Sequence, residues 1–145
     1  MPDANRELYP TTRFNVPNFV PLMDRLRDAS LKRAITLLHV RSLEEGEWIC
    51  NTAAARMHRE HIEMVGPEAG RVIDLIETAI RTKTHIAFAG ELRRDDDARA
   101  LRAGATFGIH TVAFIVRETR KEADDLVAML GSWSSFDLAI LSEIP

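Results

Sequence analysis

The chain has 145 residues, enough for one ordinary domain with a buried core and too few for several. Apolar residues make up 46% and charged residues 28%, and no apolar run reaches membrane-spanning length, which excludes a disordered or helix-spanning membrane class. A formal net charge of −3 gives no general attraction to nucleic acid or anionic lipid, so neither is expected as a partner.

Residues 1–18 hold three of the six prolines and no periodic apolar pattern, and they read as an irregular lead-in to a single α/β domain over 19–145. Met1 to Leu8 lack the basic-then-apolar pattern of an export signal, and the single cysteine, Cys50, has no internal disulfide partner. Both point to the cytoplasm. From Phe19 the spacing of Leu22, Met23 and Leu26 predicts an amphipathic helix ending near Ala29-Ser30, with Pro21 in its first turn. Arg33–Val40 is a nearly continuous apolar run of strand length, as in a strand covered on both faces. Between Arg41 and Gly66 the acidic residues Glu44, Glu45 and Glu47 surround Gly46; a short helix is expected over Thr52–His58 and a short strand over Ile62–Val65. Val72, Ile73, Ile76, Ala79 and Ile80 then recur at helical spacing.

The stretch from Thr84 to Val116 reads as strand, turn, helix, strand: Ile86–Ala89, a Gly90-Glu91 turn, an Asp95-started helix and Thr111–Val116. It is a parallel βαβ unit, and its first strand ends on Gly90, Glu91, Arg93 and Arg94, where such units commonly place ligands. Ala123, Leu126, Val127 and Leu130 predict a helix over Glu118–Leu130 with Gly131 beyond its end, and Phe136–Leu141 reads as a last buried strand. The alternation predicts a three-layer α/β domain with a mainly parallel sheet.

Val65-Gly66, a spacer of twenty-three residues, Gly90-Glu91-Leu92-Arg93, then Arg99, Ala105, Gly108 and Asp125 resemble the C-terminal part of the RecA-like motor core of type II/type IV secretion and twitching-pilus ATPases. The resemblance implies a P-loop NTPase-like core in which Gly90-Glu91 ends the Walker B strand, Glu91 activates the attacking water, and Arg93 follows it. In the same register Phe19–Leu26 stands behind the phosphate loop and Thr36 lies in the strand that ends in an acidic box. The motifs themselves are changed. Tyr9–Pro17 stands where the glycine-rich loop with its Lys-Ser/Thr pair belongs, and Leu38 and His39 stand where carboxylates belong. Of the two family histidines only the first has a neighbour here, His110, one residue out of register. A phosphate cradle needs glycines for successive N–H groups, a lysine and a metal-holding hydroxyl. The resemblance therefore implies a degenerate, inactive ATPase-like domain with no resident cofactor, ATP and Mg²⁺ entering only if that site still binds. Because the family works as hexameric rings, a protein partner or self-association is expected.

Other residues admit a functional and a plain reading. Glu91 is either a retained Walker B acid or a polar strand end. Arg93 and Arg94 either clamp an anion or pair with neighbouring aspartates, and His110 joins them if the strand ends form a small-ligand enzyme site. Asp95-Asp96-Asp97 suits a helix N-terminus better than a cation, and no metal is expected there. His58, His61 and Cys50 lack the spacing of a four-ligand zinc site. Trp48 and Trp133 read as core or interface anchors.

Overall fold

The computed structural model describes residues 19–67 and 71–142. The lead-in over 1–18, with Tyr9–Pro17, lies outside the described residues. Nine elements follow in order: α1 (Phe19–Arg27), β1 (Ala34–Val40), α2 (Leu43–Arg59), α3 (Val72–Thr82), β2 (Ile86–Glu91), α4 (Asp95–Thr106), β3 (His110–Val116), α5 (Arg120–Met129) and β4 (Asp137–Leu141).

The four strands form one sheet in the order β2-β3-β1-β4, with every pairing parallel. Parallel neighbours need long crossovers, and the helices supply them. α1 and α2 cover one face, burying Leu22, Met23, Leu26, Ile49 and Met57 against Leu38, Val40, Phe88 and Phe114. α3, α4 and α5 cover the other, packing Val72, Ile76, Leu101, Leu126 and Val127 against Ile35, Leu37, Ala87, Ala113 and Ile115. The chain leaves β1 over one face through α2, then returns across the sheet by helices on the other face, as a single crossover hand requires. β1 is buried along its whole length, which accounts for its unbroken apolar run.

Several elements differ from expectation. The short helix expected over Thr52–His58 is the second half of α2, which begins nine residues earlier at Leu43. The Ser42 side chain accepts from the Glu45 N–H at 3.1 Å, and Glu44 and Glu45 complement the positive helix end. Gly46 belongs to this helix because α2 crosses Phe114 at that point: a Cβ on Gly46 would lie 2.7 Å from the ring's Cγ. The strand expected over Ile62–Val65 is a single bridge. Val65 donates to the Ile86 carbonyl at 2.9 Å and accepts from the Phe88 N–H at 2.8 Å, capping the outer edge of β2. Gly90 and Glu91 are not a turn but the end of β2, reached through a register shift between Phe88 and Gly90. β4 is not a buried strand: it forms the other edge, with Asp137 exposed and the rest half-buried. Among the described residues no helix is long and apolar enough to cross a membrane.

Candidate functional site

An open cleft of about 1200 Å³ lies at the carboxyl end of β2. α2 contributes Leu43, Glu47, Cys50 and Asn51, α3 contributes Ile73 and Glu77 among others, β2 supplies Gly90 and Glu91, the link after it Arg93 and Arg94, and α4 Asp97. The bulge before Gly90 turns the strand end toward this cleft. Gly90 has φ +85°, and a Cβ there would meet nothing within 4 Å, so the strand end is uncovered.

The Glu91 carboxylate is fixed by its neighbour. Its Oε1 accepts from the Arg93 Nε at 2.9 Å and lies 2.8 Å from the second guanidinium nitrogen. The Glu91 side chain is 18% exposed and the Arg93 side chain 58%, so this pair sits at the solvent boundary and contributes about 0–1 kcal/mol. Arg93 and Arg94 present their backbone N–H groups to the Asp97 Oδ2, at 3.0 and 3.2 Å. Asp97 therefore caps α4, and Asp96 faces Arg99 at 4.0 Å in an exposed i,i+3 pair. The three aspartates are accounted for by the helix start. The Arg94 guanidinium has no ion pair among the described residues.

His110 is not part of this group. It begins β3 opposite Ile86, whereas Glu91 pairs with Phe114 four residues further along β3, so about 13 Å of strand separate the two. The strand-end site of Glu91, Arg93 and His110 is thus not assembled. At the amino end His110 is 3% exposed, its Nε2 lies 2.7 Å from the Thr36 hydroxyl, and that hydroxyl accepts from the Arg25 Nε at 2.8 Å. Arg25 also reaches the Asp137 carboxylate at 3.0 Å. Burial, with the Arg25 charge added, pushes the His110 ring down to about 4, so it is neutral in the folded chain. Sequence reasoning missed this relay because its four members lie far apart in the chain.

Cys50 lines the cleft, but burial pushes its thiol up to about 12, leaving no thiolate for nucleophilic chemistry. His58 and His61 are exposed, and among the described residues no three His, Cys, Asp or Glu side chains come close enough to share a metal ion.

In open parallel sheets ligands favour the crevice where adjacent strands send their helices to opposite faces. Here that crevice lies between β1, followed by α2, and β3, followed by α5. It is laced shut. The Arg117 N–H donates to the Val40 carbonyl at 3.0 Å, His39 Nε2 lies 3.0 Å from the Arg117 carbonyl, and His39 Nδ1 lies 2.9 Å from the Ser142 hydroxyl. Burial lowers the His39 ring, which keeps it in the neutral form that accepts one bond and donates the other.

A phosphate loop joins a strand to a helix whose N-terminus faces the anion. Among the described residues the junction that meets these terms beside Glu91 is β1 to α2, joined by Arg41 and Ser42 alone. α1 does not line the cleft, and its last turn sits at the amino ends of the strands through Arg25. The register that puts Phe19–Leu26 behind a phosphate loop facing Glu91, and Thr36 in an acidic-box strand, is therefore shifted: β1 and α2 hold the loop's place.

These features define a three-layer α/β domain whose all-parallel sheet has a RecA-like arrangement. No family model and no curated protein matches the sequence. Among solved structures the chain is similar to the X-ray structure of the Legionella pneumophila ATPase DotB, with a TM-score of 0.55 at 15% identity. The match covers 82% of this chain and 41% of that one, so the chain spans about two fifths of DotB's length. At that identity the likeness concerns the fold alone.

Proposed function

We propose that this chain is a secretion-ATPase-like domain that does not hydrolyse nucleotide and acts through protein contacts. The observation that supports it is the start of α2. Where a phosphate loop would wrap an anion, Ser42 spends its hydroxyl on the Glu45 N–H, and two carboxylates occupy the first turn. The Glu45 N–H, one of the donors a phosphate would use, is engaged, and the first turn carries two carboxylates that oppose an anion, with Arg41 the one cation of the junction beside them. Burial raises the Glu45 carboxyl, and even as a neutral acid it supplies neither lysine nor metal-holding hydroxyl. ATP and Mg²⁺ do not fit these residues.

Phosphoryl transfer rests on positioning and charge stabilisation, and losing one preorganised donor costs about 10²–10³ in rate. Cradle, lysine and hydroxyl together exceed what Glu91 could offset. With turnover gone, the surfaces remain, including the cleft and the exposed apolar side chains Leu43 and Ile73 on its wall. A partner protein or a second copy is the ligand class we assign, and no resident cofactor is expected. Phosphate release measured on the full chain, beside its Glu91→Gln variant, tests this reading. Equal background rates are expected; turnover by the parent chain that disappears in Glu91→Gln would overturn it.

A further inference from the structure

Three elements other than α1 meet at the amino end of the sheet, and α1 is fastened to them by one polar cluster. Arg25, in its last turn, donates to Thr36 of β1 and to Asp137 of β4, and Thr36 bonds His110 of β3. The Arg25 side chain is 19% exposed and His110 is 3% exposed, so the inner half of the cluster is shut away from water. The Arg25 Nε–H donates to the Thr36 oxygen, and the Thr36 hydroxyl either donates to a bare His110 Nε2 or accepts from its N–H, according to the ring's tautomer.

We infer that this cluster is a proton-operated latch, which holds α1 on the sheet while His110 is neutral and frees it when His110 takes up a proton. A protonated ring carries a hydrogen on both nitrogens, so Nε2 can then only donate, to the same Thr36 oxygen that the Arg25 Nε–H already faces. It also puts a second cation beside the Arg25 guanidinium. The charged groups facing His110 are Arg25 in the last turn of α1, Asp28 just beyond it and Asp137 of β4, and the carbonyl of His85, the residue before β2, accepts the His110 backbone N–H at 2.8 Å. The two aspartates favour the imidazolium, but burial and Arg25 outweigh them, so the ring is held at about 4. Once α1 has lifted, the ring is open to water and returns to the ordinary value near 6.5. The open state therefore binds the proton more tightly, and acidification favours it.

α1 is suited to move alone. It is nine residues long, and it packs Leu22, Met23 and Leu26 on one face of the sheet without sharing a strand's hydrogen-bond ladder. Opening would bare those three apolar side chains.

The test is amide hydrogen exchange of the full chain between pH 7 and 4.5, corrected for the intrinsic rate at each pH. The opening constant of α1 is expected to rise by somewhat under a hundredfold across that range, while α4 and β3 keep their protection. The His110→Gln variant can keep a bond to Thr36 but cannot titrate, and its α1 protection is expected to stay flat. An α1 response that is absent in the parent chain, or undiminished in His110→Gln, overturns the latch. Should that variant fold poorly, the His110 ring proton followed by NMR in the parent chain decides: a midpoint near 6.5 with α1 still protected contradicts the inference, and a midpoint well below it that coincides with loss of α1 protection supports it.

Discussion

The placement of α2 is tested most sharply at Gly46. Replacing Gly by Ala inside a helix ordinarily stabilises by about 1 kcal/mol. Here the added methyl would lie 2.7 Å from the Cγ of the buried Phe114 ring, well inside contact distance. Overpacking a closed core costs about 1–3 kcal/mol, so Gly46→Ala is expected to be neutral to destabilising by up to about 2 kcal/mol. In a Phe114→Leu background the methyl finds room, and the same change should stabilise by about 1 kcal/mol. The double-mutant cycle therefore carries a coupling of about 1–3 kcal/mol. Urea unfolding followed through Trp48 and Trp133 fluorescence measures all four corners. If Gly46→Ala stabilises both backgrounds equally, α2 does not rest on Phe114 and the reasoning is wrong.

Further outcomes follow from the same geometry. Asp97→Ala removes the acceptor of two backbone N–H groups and should destabilise by about 0.5–2 kcal/mol in the same assay, with Asp96→Ala much closer to neutral. Gly90→Ala, at φ +85° with open space around it, should cost about 1–2 kcal/mol from backbone strain alone, and Gly90→Asn less. With its thiol pushed up to about 12, Cys50 should have about one thiolate in 10⁴ at pH 8 and react with a thiol reagent only as the chain opens; rapid labelling of the folded protein would contradict its burial. Folded His110 sits at about 4 against about 6.5 unfolded, so the unfolded chain binds more protons between those values and stability falls as pH drops through them. The His110 share of that loss is about 3 kcal/mol by pH 4, read as the difference between parent and His110→Gln unfolding curves.

The core strands and the helices with clean periodicity were legible because burial imposes the pattern directly. β1 is buried on both faces and reads as an apolar run, while α3 and α5 bury one stripe each. The first half of α2 was not legible: Gly46 and three glutamates read as a loop, and only the Phe114 ring beneath them explains the glycine. β4 has an apolar run like β1, but composition does not say whether a strand has neighbours on both sides. At the site, the local pieces were readable, since Glu91, Arg93, Arg94 and Asp97 are close in sequence and the helix start dictates their contacts. The separation of His110 from Glu91 was not, because residue spacing does not reveal which end of a sheet a strand residue occupies. The laced crevice of His39, Arg117 and Ser142 depends on the strand order, which only the folded chain shows.

Under the function proposed here the β1–α2 junction does not cradle phosphate. Titration calorimetry of the full chain with ATP and Mg²⁺ addresses it directly. No saturable heat is expected at nucleotide concentrations up to about 1 mM, a regime that corresponds to binding weaker than about −4 kcal/mol. Saturable binding in the micromolar range, abolished by changes at Ser42 or Glu91, would contradict it.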